Sequence, residues 1–188
     1  QPLLAELAPA LLEKYITTAT DNDCLIAGPS GAGYIVPPLA PRLEKYISET
    51  ARICEKVGID VVTTYVADPP SRISDTLATQ RGGLKGYLAG YAVVTRAPMQ
   101  LVGVTPIIAN KFPAVDQIWM HAEELLTKVK EEIANLQSFP AFIGVHLFAY
   151  RNPYDEIVQF VEQIENEHVH VVRGDEFLDL AKQHLVGK

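Results

Sequence analysis

The chain has 188 residues, enough for one domain with a substantial core, and its 48% hydrophobic and 21% charged residues are typical of a folded globular protein. The net charge of -7 and the pI near 5.2 disfavour nucleic acid and anionic membranes as partners, because both are bound through basic surfaces and the sequence has no cluster of Lys and Arg. The sequence also lacks an apolar run of the roughly 20 residues that a membrane-spanning helix needs.

The first half of the chain alternates between helical and strand patterns. Helices are indicated by apolar residues at three- and four-residue spacing, and strands by short apolar or β-branched runs. The predicted elements are a helix over 3–18, a strand over 24–27, a helix over 41–57, a strand over 60–65, a short helix over 71–80 and a weaker strand over 85–90.

The second half continues the same alternation. Asp116 is predicted to cap the longest helix, and the apolar run over 141–148 is predicted to be the central strand of the sheet. The predicted elements are a strand within 100–108 that is interrupted at Pro106, a helix over 116–136, a strand over 141–148, a helix over 154–165, a strand over 169–172 and a final helix over 175–185.

This order predicts a single α/β domain over residues 1–188, with a mainly parallel sheet of about six strands. The sheet is either an open doubly wound sheet or an incomplete, distorted (β/α) barrel. In both, ligands bind at the C-terminal ends of the strands. The segments expected at that edge are 28–34, 65–68, Tyr91, 108–112, 146–152 and 173–176.

The cysteines and the first residue bear on the cellular compartment. Cys24 and Cys54 are expected to be free buried thiols, and a single bridge between them is the alternative. The chain shows no signal peptide and starts at Gln1, as a processed product, an excised domain or a partial chain would. If Gln1 is a mature terminus, a secreted or extracytoplasmic location is favoured over the cytoplasm.

A glycine-rich loop follows the first predicted strand, with the sequence GPSGAGY over residues 28–34. Its glycines would let the backbone approach a ligand closely. The spacing fits neither the G-x-G-x-x-G fingerprint nor a P-loop, which argues against nucleotide binding. The alternative is a tight crossover turn with Tyr34 packed on the sheet.

The same loop carries a family resemblance. The sequence GAGYIVP over residues 31–37 resembles the signature of the GxGYxYP family of glycoside hydrolase-like proteins, and NDCLIAGPS over 22–30 is similar to the approach to that motif. Two later stretches, PAFIGVH over 140–146 and VRGDEFL over 172–178, resemble the family's C-terminal end. The resemblance runs from about Thr17 onward, with Val36 in place of the second aromatic residue and without the family's separate N-terminal domain. It implies a barrel-like α/β domain and a sugar-related context. The expected partners are a glycan or small sugar, with either a homo-oligomer or an N-terminal companion domain as the protein partner.

Glycoside hydrolysis usually needs two carboxylates about 5–5.5 Å or 6.5–9.5 Å apart. Asp68 and Asp175 are the catalytic candidates near strand ends, beside Asp75 and Glu176, and no pair stands out. Asp68 precedes two prolines and is either held on a stiff loop or a solvated turn residue. Asp175 is either catalytic or the N-cap of the last helix, with Glu176 in its first turn.

His146 is the third catalytic candidate, because a polar ring late in an apolar strand must find a partner or face a cleft. The alternative is a core histidine that is bonded to the backbone. A triad of Ser30, His146 and Asp68 is a minor alternative. The other histidines match no metal-binding spacing, so we expect no metal and no cofactor.

Aromatic and polar side chains around the same edge suit sugar binding, since sugar faces stack on rings and hydroxyls pair with polar groups. Tyr150 and Trp119 are further aromatic candidates, and for every ring partial burial in the core is the alternative. The predicted substrate-binding residues are Ser30, Gly31, Gly33, Tyr34, Tyr65, Tyr91, Asn152 and Arg173.

Two functions fit this pattern. The first is a glycoside hydrolase-like domain, with a glycan or small sugar at the C-terminal ends of the strands beside the glycine loop. The second is a non-catalytic carbohydrate-binding or assembly module on the same fold. Both require the glycine loop to share an open pocket with the ends of the other parallel strands.

Overall fold

The described strands of the chain form a five-stranded sheet. The computed structural model describes residues 2–36, 41–64, 84–89, 99–112, 119–166 and 168–187. The strands are β1 (Ile26–Ala27), β2 (Val61–Thr63), β3 (Gly86–Ala89), β4 (Met99–Val102) and β5 (Thr105–Ala109). The helices are α1 (Leu4–Leu7), α2 (Pro9–Thr18), α3 (Leu43–Val57), α4 (Ala122–Ala134), α5 (Tyr154–Ile164) and α6 (Gly174–Val186).

The sheet is open and mostly parallel, with the strand order β1-β2-β3-β5-β4. β1, β2, β3 and β5 run parallel, and the register pairs Ile26 with Val61 and Leu88 with Ile108. β4 pairs antiparallel with β5. The predicted α/β class is confirmed, and of the two architectures foreseen the described strands form the open sheet.

Helices cover both faces of the sheet, because successive side chains of a strand point to opposite sides. On one face, Val62 belongs to a buried cluster with Leu43 and Ile47 of α3. On the other face, its neighbour Val61 belongs to a cluster with Leu178 of α6. The four parallel strands therefore end at one common edge, between two layers of helices.

Two further helices, α4 and α5, form a second core. Leu125 and Val129 of α4 are buried with Phe160 of α5, and Val145 and Leu147 pack against them. The run over 141–148 was predicted to be the central strand, and this prediction is wrong. β5 is already paired on both edges, with β3 and β4, and the apolar run is partly buried against the helices instead of pairing in a ladder.

Several other boundaries also differ from the sequence prediction. The helix over 3–18 is two helices, because Pro9 has no amide hydrogen for the helical ladder. The single strand over 100–108 is a hairpin that turns at Gly103, whose φ is 59°, and Pro106 lies inside β5 near its start, where proline is tolerated. The strand over 169–172 is reduced to one isolated bridge between Asn166 and Val169.

The starts of two helices also differ from the prediction. α4 begins at Ala122 with His121 at the N-cap, and Asp116, the predicted cap, lies outside the described residues. α6 begins at Gly174 with Arg173 at the N-cap, which leaves Asp175 inside the first turn. The helix predicted over 71–80 lies outside the described residues. Cys24 and Cys54 are free thiols, as expected, and of the two Cys54 is buried whereas Cys24 is only partly buried.

Candidate functional site

The glycine loop follows β1 at the C-terminal edge of the sheet and is fastened to α3 by hydrogen bonds. The backbone N–H of Gly33 donates to the Tyr46 hydroxyl (2.9 Å), and that hydroxyl donates to the Gly33 carbonyl (2.6 Å). The backbone N–H of Ala32 donates to the buried Thr50 hydroxyl (3.1 Å). The loop is therefore a docked crossover turn with a fixed backbone.

The glycines of this loop serve different purposes. A Cβ on Gly28 would lie 2.3 Å from Thr63, and a Cβ on Gly31 would lie 2.4 Å from Thr50, so both positions are crowded by neighbouring side chains. Gly31 also has a φ of 110°, which favours glycine. A Cβ on Gly33 would meet nothing within 4 Å, which leaves Gly33 as the glycine of this loop that borders open space.

The two polar side chains of the loop lie in different environments. Ser30 is only 3% exposed, and its hydroxyl donates to the carbonyl of Ile35 (2.9 Å). Tyr34 is exposed, so it is not packed on the sheet as the turn alternative required. Gly33 and Tyr34 are therefore more accessible from solvent than the enclosed Ser30.

A second polar pair lies at the same edge, where β5 ends. Asn110 follows β5 directly and is buried, and its backbone N–H donates to the carbonyl of Ala89 at the end of β3 (2.8 Å). The Asn110 Nδ2 lies 2.8 Å from the Nε2 of His146. Because an amide nitrogen donates, Nε2 of the neutral ring accepts and the proton lies on Nδ1. Burial lowers the pKa of His146 from its usual value of 6.5.

The backbone around His146 is held close to the same strand end. The N–H of Lys111 donates to the carbonyl of Gly144 (3.3 Å), and a Cβ on Gly144 would lie 3.0 Å from the Asn110 Oδ1. The Lys111 ammonium pairs with Glu132 of α4 at 2.6 Å. His146 thus has a side-chain partner, Asn110, at the end of β5. Sequence reasoning missed Asn110 as its partner, although a polar residue directly after an apolar strand is a usable signal.

A row of rings leads outward from His146. Its ring is stacked near Phe148, with 6.1 Å between centroids, and Phe148 lies 5.6 Å from Tyr150. Tyr150 is 72% exposed. We call His146, Phe148 and Tyr150 the aromatic row. It runs from a polar strand end to an exposed ring.

Asn152 closes this segment and is almost fully buried, with 1% exposure. Its Nδ2 donates to the carbonyl of Phe148 (3.2 Å), and its backbone N–H donates to the same carbonyl (2.9 Å). Its Oδ1 is buried without a hydrogen-bond partner among the described residues. Asn152 therefore shapes the turn after the aromatic row from inside.

Arg173 and Asp175 do not join the other candidates, although the sequence analysis placed them at the same edge. Asp175 pairs with Arg173 (2.9 Å) and with Lys85 (3.8 Å), and Lys85 precedes β3 at its N-terminal end. Arg173 also donates to the carbonyl of Asp21, which precedes β1. The expected placement is wrong, because α6 starts at the N-terminal edge of the sheet, opposite the glycine loop.

The ion pairs at the N-terminal edge of the sheet favour the ionised form of Asp175. Burial opposes ionisation, but the hydrogen bonds from Arg173 and from the backbone of Glu176, with the charges of Arg173 and Lys85, outweigh it and lower the pKa of Asp175. Burial raises the pKa of the neighbouring Asp60. The ion pairs of Lys85 with Asp175 and Asp179 join α6 to the sheet.

Three predicted site residues, Asp68, Tyr65 and Tyr91, lie outside the described residues, as does Asp75. Within the described ranges, no group of three or more His, Cys, Asp or Glu side chains is placed to hold a metal ion. In that same part of the chain, no helix is both long and apolar enough to cross a bilayer.

A cleft that sequence reasoning did not foresee lies between α4 and α5. Its volume is about 470 Å³, and Leu126 and Phe160 contribute its apolar lining. The polar side chains at the cleft are His121, Glu123, Glu156, Gln159 and Gln163. The sequence analysis did not predict this cleft, because each of its polar residues taken alone is typical of the solvent-exposed face of an amphipathic helix.

Comparison with known families agrees with this fold and with the motif in the loop. The family model described as the GxGYxYP putative glycoside hydrolase C-terminal domain matches residues 1–182. The chain belongs to the GxGYxYP family. The match includes α1 and α2, upstream of the residue near which the motif resemblance begins. No curated protein matches the sequence significantly.

A solved structure gives the same fold as this GxGYxYP domain. The crystal structure of a putative hydrolase from Bacteroides thetaiotaomicron VPI-5482 superposes with a TM-score of 0.74 at 22% sequence identity. The likeness covers 98% of this chain and 38% of that chain, so the GxGYxYP domain spans well under half of its neighbour's length. At this identity the likeness concerns the fold.

Proposed function

We propose that this GxGYxYP domain is carbohydrate-directed and hydrolyses glycosides, with the sugar bound at the C-terminal edge of the sheet. The observation that carries the proposal is the 2.8 Å contact between Asn110 and His146 at the end of β5, from which the aromatic row leads outward. Family membership supports the glycoside hydrolase class. The parallel topology supports the edge, because open α/β sheets bind ligands where their strands end.

In the proposed site, each polar group has a defined task. His146, held beside Asn110 at the end of β5, is the proposed group that hydrogen-bonds a sugar hydroxyl or exchanges a proton with it. Tyr150 offers an exposed face on which a sugar ring stacks. Gly33 and Tyr34 border the far side, about 14 Å away, because β1 and β5 are separated by three strand spacings. That width suits an oligosaccharide of more than one sugar.

Asp68 is the proposed catalytic carboxylate. It follows β2 by five positions in the sequence, on the side of the chain that leaves the C-terminal end of that strand. Asp175 is not part of the proposed site, because its ion pairs with Arg173 and Lys85 lie at the opposite edge. Hydrolysis by two carboxylates therefore requires a second acid other than Asp175.

The same observation about Asp175 favours a second function, a non-catalytic carbohydrate-binding module. A binding module needs the aromatic row and the polar strand ends, but no acid pair. The substitution of Val36 for the second aromatic residue of the motif points the same way. The two functions differ in turnover and share the site.

A glycan panel with matched variants tests the proposal. Purified protein is assayed for reducing-sugar release and, in parallel, for binding on a glycan array. Hydrolysis predicts turnover that is lost in Asp68→Asn and strongly reduced in His146→Ala, while the exposed controls Asp155→Asn and His170→Ala keep full activity. Binding without release, weakened by His146→Ala alone, indicates the binding module. A panel with neither release nor binding contradicts both functions.

A further inference from the structure

An apolar patch covers the first two helices. Leu7, Leu11, Tyr15 and Ile16 are all exposed, and we call them the N-terminal patch. Leu11 and Tyr15 are four residues apart in α2, so they share one helix face. Large apolar side chains that are grouped in this way on a surface mark an interaction site.

The helices that carry the N-terminal patch are weakly held by the rest of the domain. α2 has ten residues and one buried side chain, Leu12, and α1 has none. A helix of this length is marginal in water without tertiary packing. The ion pairs of Glu6 with Arg52 (3.9 Å) and Lys56 (3.8 Å) are exposed, and such pairs contribute little. The exposed face of α2 therefore lacks the packing that usually stabilises a helix.

We infer that the N-terminal patch is the docking surface for the domain that precedes this one in the longer proteins of the family. The matched family model is a C-terminal domain, and this chain covers 38% of its structural neighbour, so related proteins carry further chain outside this fold. A preceding domain joins the chain at α1, directly beside the patch. Packing of the preceding domain against α2 would bury Leu11 and Tyr15 and supply the apolar contacts that the exposed face of α2 lacks.

This inference is independent of the carbohydrate function, and a footprinting experiment tests it. The 188-residue chain and the polypeptide that includes the preceding domain are oxidised with hydroxyl radicals, and oxidation is measured per residue. Leu11 and Tyr15 are expected to oxidise several-fold more slowly in the longer polypeptide. Leu180 of α6 is the matched control, because it has the same 41% exposure as Leu11, and its oxidation is expected to stay unchanged.

A variant of the longer polypeptide gives a second readout. Leu11→Lys is expected to restore the oxidation of Tyr15 and to enlarge the radius of gyration in X-ray scattering, whereas Leu180→Lys changes neither. Equal oxidation of the patch in both polypeptides overturns the inference. Protection that grows with the concentration of the 188-residue chain alone also overturns it, because a second copy then covers the patch. A polypeptide with no preceding domain overturns it as well.

Discussion

The methyl group of Thr50 occupies the space that a side chain on Gly31 would need. A Cβ on Gly31 would lie 2.4 Å from the Thr50 Cγ2 and 2.7 Å from its Oγ1. Thr50 is buried in the middle of α3, and its hydroxyl accepts a hydrogen bond from the backbone N–H of Ala32. The motif glycine thus allows the loop to dock on α3, which links the family signature to the fold.

The first prediction concerns this close approach. Gly31→Ala is expected to destabilise the protein by about 1–3 kcal/mol, because the residue keeps a positive φ and its methyl group collides with Thr50. Urea unfolding of the variant gives the change. Gly33→Ala is the control from the same loop, and its stability is expected to stay near that of the parent since the added Cβ meets open space. Equal losses in the two variants would contradict the packing argument.

The second prediction concerns the hydroxyl that closes the loop. Tyr46→Phe removes the group that accepts from the N–H of Gly33 and donates to its carbonyl. A loss of about 1–3 kcal/mol is expected, because two partly buried backbone groups lose their partner. Tyr15→Phe, on a half-exposed ring, serves as the control in the same thermal unfolding series. If both variants unfold at the parent's temperature, the Tyr46 bonds do not hold the loop.

The third prediction follows from the lowered pKa of His146. Burial disfavours the charged ring, so the unfolded chain, with a pKa near 6.5, takes up the proton first as the pH falls. The free energy of unfolding is expected to be highest above pH 6.5 and to fall as the pH drops toward the pKa of the folded state. Urea titrations of the parent and of His146→Gln measure this slope, which is expected to be smaller in the variant. A direct NMR titration that places the pKa of His146 above 6.5 would refute the assignment.

The sequence predicted most helices closely but misplaced two strands. α3, α5 and α6 lie within two residues of their predicted bounds, because an amphipathic stripe specifies a helix locally. The run over 141–148 has the composition of a buried strand, but a strand also needs the unpaired edge of a neighbouring strand. β5 pairs with β3 on one edge, and through the hairpin at Gly103 it pairs with β4 on the other. Pairing is a property of the whole sheet and is not encoded in the apolar run.

The candidate site also combines positions that chain order predicts with positions that depend on the whole fold. The glycine loop follows a strand in the sequence, so its place at the C-terminal edge was predictable from chain order alone. The position of Asp175 was not, because it depends on where α6 begins and on the ion pairs that Asp175 makes with Lys85 and Arg173. The pairing of Asn110 with His146 joins residues 36 positions apart, a separation at which a single sequence carries no pairing signal.

The fourth prediction separates Asp175 from the proposed site. Asp175→Asn removes a carboxylate whose pKa is lowered in the fold, so its stabilising effect is present above about pH 4 and is lost as the pH falls through the folded-state pKa. A loss of up to about 1 kcal/mol at neutral pH is expected, since the ion pairs are partly exposed. The exposed Asp155→Asn, also in the first turn of a helix, is the control. Glycan turnover or binding is expected to be unchanged in Asp175→Asn, and its loss in a folded variant would return Asp175 to the site.

The fifth prediction concerns the outer end of the aromatic row. Tyr150 and Tyr154 are 72% and 77% exposed, but of the two it is Tyr150 that contacts Phe148, at 5.6 Å. If a sugar ring stacks on the row, Tyr150→Ala removes a platform worth about 1 kcal/mol and weakens glycan binding several-fold. Tyr154→Ala removes an equally exposed ring outside the row and is expected to leave the affinity unchanged. Calorimetry with the best-bound glycan of the panel measures the affinity of both variants. An equal fall in affinity would show that any exposed aromatic ring attracts the sugar, and not the aromatic row in particular.

Unchanged affinity in Tyr150→Ala together with a loss in His146→Ala would confine the ligand to the inner, polar end of the row beside Asn110.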